Sequence, residues 1–218
     1  MVTKKEWSRR AGRPAADATD LPTEAEIISR GLAAFAELGY EATSVRELSR
    51  RLGVSHNFIN DRYGSKDAFW KMLIDRAGAP VLEPLREILL AHYDDELARF
   101  RDGVRAFLTV ALVNADITRI INQESGSRGP RLEYLYQRHI EPIVSALRPA
   151  FDQLVSAGRV RAVPLHVMMF AVIAMTGVAS HQGIVSLIRS DEDSPVDASS
   201  EHLSGIVLDG LILDRSAL

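Results

Sequence analysis

Between Gly53 and Gly64 the chain concentrates side chains built for hydrogen bonding: Ser55, His56, Asn57, Asn60 and Asp61. His and Asn carry donor and acceptor atoms that match the base edges in a DNA major groove, and Asn pairs bidentately with adenine. That chemistry needs the side chains on the outer face of a rigid element. Phe58 and Ile59 supply the inward face of a short helix reaching about Tyr63, with Ser55 as its expected N-cap. Asp61 is the odd member beside a polyanion: it points away, pairs with Arg62 or accepts from a cytosine amine, and an intramolecular role is expected.

The elements that must position this face are legible on either side. Ser44 followed by Glu47 has the spacing of a capping box, in which the hydroxyl takes the third helical amide and the carboxylate reaches back to the cap amide. Val45, Leu48 and Leu52 then recur at i, i+3, i+7, leaving Arg46, Ser49, Arg50 and Arg51 on other faces, and Gly53 ends the helix. Upstream, Thr23 and Glu26 open another helix with Ile28, Leu32 and Phe35 on one stripe, closing at Gly39. Downstream, Ser65 caps a fourth helix with Phe69, Trp70, Leu73 and Ile74 as packing residues. Helix, loop, helix, turn, helix is the module that places one helix in DNA while the others brace it.

Residues 23 to 74 resemble the DNA-binding domain of the tetracycline-repressor (TetR) family of bacterial transcription regulators. The resemblance is carried by Ala34-Phe35-Ala36-Glu37-Leu38-Gly39-Tyr40, Ala42-Thr43-Ser44-Val45-Arg46-Glu47-Leu48, Gly53-Val54-Ser55 and Tyr63-Gly64-Ser65-Lys66-Asp67. It implies a homodimer on a palindromic operator, usually released by a small-molecule inducer. By the same resemblance Thr43, Ser44, Tyr63 and Lys66 fall on phosphate-holding positions and Ser55, His56, Asn57 and Asn60 on the recognition helix; Arg46 joins them as an expected DNA contact. Asn57, Asn60, Arg62 and Tyr63 depart from the residues common in the family, so the operator sequence does not carry over.

An N-terminal segment with Lys4, Lys5, Arg9, Arg10 and Arg13 against Glu6 has no apolar period. A disordered basic arm over 1–20 is expected, with Arg9, Arg10 and Arg13 either lying along phosphates or entering a narrow minor groove, or else merely a solvated tail. Trp7 has a role in neither. The chain has a formal net charge of −3, and with the arm's excess of four cations set apart the body is near −7, so DNA affinity must come from a local patch.

The whole chain reads as all-α. The helix-turn-helix domain is expected over 21–68, its motif about 44–63, and a helical regulatory and dimerisation domain over 69–218. Gly78 and Pro80 are expected to break the fourth helix, with helices following near 80–92, 94–114, 116–124, 130–157 interrupted around Glu141-Pro142, 164–188 and 199–213. Ser190 to Ser200 reads as a loop. Val167 to Ala179 is apolar around nearly its whole circumference and Ile206 to Leu213 is similarly crowded, which suits a core or a partner. The resemblance assigns these helices to a four-helix bundle across a two-fold axis, with Val167, Phe170, Ala171, Ala174, Ile206, Leu208 and Leu211 as candidate interface. Phe100, Val104, Phe107, Leu108 and Leu112, with Tyr134 and His139, are the candidate lining of a pocket for an apolar or amphipathic effector.

With 218 residues, 46% of them hydrophobic, a substantial core is available. No cysteine is present, which removes disulfides and thiolate zinc sites and fits a reducing cytoplasm. No metal or cofactor is expected, and neither a membrane span nor an export signal is read. The chain lacks a phosphate loop, HExxH and GxSxG, and its six His show no i, i+4 pairing, so an enzyme is not expected. The expected function is a cytoplasmic, dimeric, ligand-responsive regulator, most often a repressor. The alternatives are an all-helical enzyme and a DNA-binding protein without effector.

Overall fold

A computed structural model describes residues 21–177, 181–188 and 196–213, with the side chains of 182 and 196–199 left aside. The basic arm with Arg9, Arg10 and Arg13, and most of the expected loop after Ser190, lie outside the described residues. Every regular element described is helical, and the one extended feature is an isolated antiparallel bridge between Val160 and Ile212.

Four helices build the N-terminal module. Helix α1 spans Glu24–Ala42, and its first turn closes the full capping box: Thr23 Oγ1 accepts from the Glu26 amide while the Glu26 carboxylate accepts from the Thr23 amide. Gly39, at φ 76°, breaks the helical path, but one short turn resumes to Ala42 rather than closing there. Helix α2, Val45–Leu52, starts on Ser44 and stops at Gly53, whose φ of 72° lies in the left-handed region where a Cβ is costly. Helix α3 is Phe58–Tyr63 and helix α4 is Lys66–Leu90, capped by Ser65. Ile27, Phe35, Leu48, Leu52, Ile59 and Trp70 share one core with Ile117, Ile120 and Leu135 from farther along the chain.

The expected break at Gly78 and Pro80 does not occur. Helix α4 runs through Gly78, Pro80 and Pro84 to Leu90. Each proline removes one amide donor, yet both prolines are exposed, and burial of Phe69, Trp70, Leu73 and Ile74 before them and Leu85 after them outweighs the loss. A boundary after residue 68 would therefore cut through this helix and through the core it completes.

Beyond α4 come α5 (Glu96–Val113), α6 (Ala115–Glu124), α7 (Pro130–Leu135), α8 (Glu141–Ser156), α9 (Leu165–Met175), α10 (Gln182–Ile188) and α11 (Val196–Leu211). The interruption expected near Pro142 takes the form of a π-helical turn, Tyr136–Ile140, ahead of α8. Proline has no amide to give, and the Glu141 amide instead reaches Tyr136, five residues back. The single helix expected over 164–188 is interrupted, because α9 ends at its cap Thr176, whose hydroxyl donates back to the Ile173 carbonyl, and Gln182–Ile188 forms a separate helix. Val196 to Ser200, expected in a loop, forms the first turns of α11.

A second core joins α5, α8, α9 and α11 through Leu97, Leu108, Phe151, Leu154, Met168 and Leu208. One charged residue stands in its main stripe. Arg101 shares a face of α5 with Leu97, Val104 and Leu108, and its Nε and Nη2 are buried without a hydrogen-bond partner. Replacing it with a residue of similar length and no charge removes an uncompensated desolvation cost. Arg101→Met is expected to stabilise the protein by about 1–3 kcal/mol in urea unfolding; a loss of stability would show that the guanidinium finds an acceptor in solution.

Candidate nucleic-acid interface

The turn between α2 and α3 differs in detail from its sequence pattern. Ser55 is not the side-chain cap of α3. The residues from Ser55 to Phe58 form a turn closed by the Phe58 amide on the Ser55 carbonyl, and Asn57 takes the cap position without a side-chain bond. The reason lies in packing: Ser49, buried on α2, donates its hydroxyl to the His56 carbonyl and holds the turn open. Ser55, His56, Asn57 and Asn60 all emerge exposed, and their side chains make no hydrogen bond with any described residue. Ile59 is completely buried beneath them and Phe58 packs beside it. Asp61, expected to act within the chain, is exposed and forms no ion pair with any described residue; Arg62 instead lies 5.8 Å from the Phe58 ring and 5.9 Å from that of Tyr63.

Arg62 is a cation on this face that the sequence reading did not select. Its spacing of four residues from Phe58, which sets a guanidinium beside an aromatic ring on a helix, was the available signal.

The expected phosphate contacts fall into three kinds. Arg46 is exposed and has no ion pair with any described residue, and Ser44, although its hydroxyl accepts from the Glu47 amide, remains exposed. Tyr63 is half-buried, its ring 4.8 Å from that of Phe69. Thr43 and Lys66 are committed inside the chain. The Thr43 side chain is fully buried and donates to the Gly39 carbonyl at 2.6 Å, so it cannot hold a phosphate. Lys66 donates to the Tyr40 carbonyl at 3.0 Å with its ammonium 4.0 Å from the Tyr40 ring centre, which makes it first a strut between α1 and α4.

Glu47 also departs from expectation. Its carboxylate does not return to the cap; it takes Arg50 at 2.7 Å and Arg51 at 2.8 Å, while Arg51 also reaches Glu37 on α1 at 2.6 Å. Two guanidiniums outcompete one amide for a carboxylate. Hydrogen bonds from Arg50 and then Arg51 hold the Glu47 carboxyl down at about 2, against its ordinary 4.5. A depressed carboxyl stabilises the fold above its ordinary range and loses that effect as pH falls from about 4.5 toward 2. Thermal melts stepped through that window are expected to decline less steeply for Glu47→Gln than for the unaltered chain. Parallel declines would mean the triad does not form.

The sequence profile of the bacterial regulatory proteins of the tetR family matches residues 27–71, which span the core of α1, the α2–α3 pair and the start of α4. Residues 27–71 carry the DNA-binding sequence of the tetR family. The whole described fold is also similar to solved tetR-family structures. The TetR family transcriptional regulator PfmR from Thermus thermophilus superposes with a TM-score of 0.63 at 22% identity, over 86% of this chain and 96% of that one. A tetR-family transcription regulator from Marinobacter aquaeolei VT8 gives 0.65 at 16% identity, over 86% and 94%. The ketosteroid transcriptional regulator KstR2 of Mycobacterium tuberculosis gives 0.58 at 17% identity, over 87% and 95%. At these identities the likeness is one of fold. No curated protein matches the sequence. No described helix is long and apolar enough to cross a membrane.

The candidate effector residues are not brought together. Phe100, Val104 and Leu108 are buried and Phe107 is half-buried in the second core, packed against α8, α9 and α11, while Leu112 is buried near the end of α5. Tyr134 and His139 lie elsewhere, on α7 and the π-helical turn, where both hold Asp75 of α4: the Tyr134 hydroxyl donates at 2.7 Å and His139 Nε2 lies 3.0 Å from the other oxygen. Burial and the Asp75 hydrogen bond push the Tyr134 phenol up to about 12, so it stays a donor. An apolar stripe at helical spacing looks the same whether it fills a core or lines a cavity, and here it fills a core. None of the seven lines the groove of about 660 Å³ between α1, α4 and the α5–α6 junction, which is bounded instead by residues such as Ile28, Val81 and Val113.

The candidate dimer residues divide by face. Val167, Phe170, Ala171 and Ala174 are exposed on α9 and Ile206 is exposed on α11. Leu208 and Leu211 are buried within the chain's own second core, so they are not interface residues of this fold.

Proposed function

We propose that this chain is a cytoplasmic regulator that binds a palindromic operator as a homodimer, acts as a repressor and is released by a small-molecule effector. The single observation that carries the DNA part is the exposed, unpartnered set Ser55, His56, Asn57 and Asn60, raised on a turn whose underside is the fully buried Ile59. These side chains would read base edges, with Ser44, Arg46 and Tyr63 against phosphates and Arg9, Arg10 and Arg13 adding a basic arm. The division into arm, reading head and regulatory half near residues 20 and 68 is part of the same proposal, with α4 shared between the last two.

The exposed apolar face of α9, with Ile206 of α11, supports self-association, since a monomer gains nothing from showing it to water. Two heads about 34 Å apart would meet successive major grooves on one side of a duplex. Release follows from linkage: an effector lowers operator affinity only by favouring the conformation with misplaced heads. Helix α4 is suited to carry that change. Its first half belongs to the reading-head core, Asp75 is held from α7 and the π-helical turn, and Leu85 approaches α5 at Gly103.

Salt-titrated binding to a site mapped by genomic footprinting tests the proposal. Asn60→Ala is expected to lose discrimination between that site and random duplex by about 1–3 kcal/mol while leaving random-duplex affinity nearly intact. Arg46→Ala is expected to weaken both alike and to reduce the salt slope by about one. A chain with no site-specific component at physiological ionic strength would refute the regulator assignment.

A further inference from the structure

The groove between the reading head and the regulatory half has the chemistry of a ligand site. Helices α1 and α6 run side by side. At their far end Gln123 of α6 donates to the Ala36 carbonyl of α1 at 2.9 Å and closes the gap. Toward the start of both helices the gap opens into the groove of about 660 Å³, roofed by Val81 of α4 and edged by Val113 of α5. Ile28 and Leu32 make an apolar wall, and Val113 is left 64% exposed at the rim. The trough is open along one side, but its size and its aliphatic lining with a few polar atoms are in the range of small-molecule sites.

Charge decides what the groove would take. Asp116 is the sole ionisable side chain on its lining. It is half-buried and has no ion pair or hydrogen bond with any described residue; Arg119, one turn along the same helix, does not close on it. Two further polar groups line the same groove: the Ser29 hydroxyl has no described partner, and the Asn114 amide donates to the Val110 carbonyl at 2.8 Å. An anion and two neutral polar groups on an otherwise aliphatic trough suit a positive head on an apolar body.

We propose that this groove binds organic cations with bulky apolar substituents, the positive centre against Asp116 and the body against Ile28, Leu32 and Val81. An occupant there touches α1, α4 and the α5–α6 junction at once. It adds contacts that span the reading head and the regulatory half beside the core that already joins them, so its binding and DNA binding are linked. The regulatory consequence rests on the DNA-binding assignment above; the binding itself does not.

Tetraphenylphosphonium and tetraphenylborate are a matched pair of opposite charge and nearly the same shape, which makes them suitable probes. In calorimetric titration of the full chain without DNA, the phosphonium is expected to bind at least about tenfold more tightly than the borate, a difference of ~1.4 kcal/mol. Asp116→Asn, which keeps the side-chain shape, is expected to erase most of that preference. Ala25→Trp, at an exposed position on the groove wall, is expected to block both ions. Equal binding of the two ions, unchanged phosphonium affinity in Asp116→Asn, or no phosphonium binding at millimolar concentration would overturn the proposal. Phosphonium that binds only after residues 2–14 are deleted would assign the groove to that basic segment and overturn it too. A salt-titrated DNA assay with and without phosphonium then reads the linkage separately: a chain that binds the cation but no DNA would fail the regulator assignment while leaving the site intact.

Discussion

Trp70→Ala is expected to cost about 3–5 kcal/mol of stability, the range for deleting a large aromatic from a closed core. Trp70 is 1% exposed and sits on α4 where three parts of the chain meet. Its ring meets the Tyr40 ring of α1 edge-on at 6.2 Å and lies 6.3 Å from the Tyr134 ring of α7. Phe35 and Phe69 fill the same cluster. The substitution therefore leaves a cavity at the seam between the helix-turn-helix and the helices that follow it. Urea unfolding followed by far-ultraviolet circular dichroism reads the loss, and Trp70→Phe should recover more than half of it. A midpoint that hardly moves in Trp70→Ala would mean that this seam is not packed in solution. The same variant should also weaken DNA binding without touching any DNA-facing residue, because α3 is positioned by packing against α4 through contacts such as Tyr63 with Phe69.

Phe170→Glu is expected to turn the proposed dimer into a monomer and to lower affinity for a mapped operator by on the order of 10³-fold, toward the non-specific level. Phe170 is 66% exposed on α9, flanked by exposed Val167, Ala171 and Ala174, while Leu165, Met168 and Val172 on the opposite side of the same helix are buried in the second core. A charge at the centre of that outer face would have to be desolvated across the two-fold axis, where it would also meet its own copy. Because the side chain is outside the monomer core, the helical content and the unfolding of the subunit should be nearly unchanged. Sedimentation velocity at micromolar concentration checks the assembly. A variant that remains dimeric would place the interface elsewhere, with the exposed residues Ile184, Leu187 and Ile188 of α10 as the next surface to alter.

The reading head was legible because its signals are local. The Thr23 and Glu26 capping box, the Ser44 and Ser65 caps and the Gly53 turn depend on residues within three or four positions of each other, and each formed at its expected place. The departures share one origin. Glu47 had the right spacing to complete a second box, but Arg50 and Arg51 offered a stronger partner. Thr43 matches a phosphate-holding position in type, yet the junction of α1 and α2 turns its hydroxyl back onto Gly39. Gly78 and Pro80 carry a helix-breaking signal that packing on both sides of α4 overrode.

The regulatory half was less legible. Periodicity located most of the helical segments but not their number, since α4 absorbed the helix expected near 80–92 and the one expected over 164–188 is interrupted, and the proline at 142 marked the irregular turn before α8. Periodicity says which side of a helix is apolar without saying what that side meets. The stripe from Phe100 to Leu112 was therefore indistinguishable from a pocket wall, and Leu208 and Leu211 from interface residues like Ile206. The groove at the head of α6 joins segments about ninety residues apart in sequence, from Ala25 to Asp116, and no spacing pattern reports such a meeting.

Sequence by itself determined the all-helical class, the tetR-family likeness of the N-terminal module, and the exposed polar side of α3, because caps, turns and amphipathic stripes are set by neighbours a few residues away. Tertiary structure alone decided which candidate residues are free to touch another molecule: it sealed Thr43, enlisted Lys66 as a strut, filled the expected pocket and opened a different one. The physical reason is that exposure belongs to contacts between distant segments, and those exist only once the chain has closed upon itself.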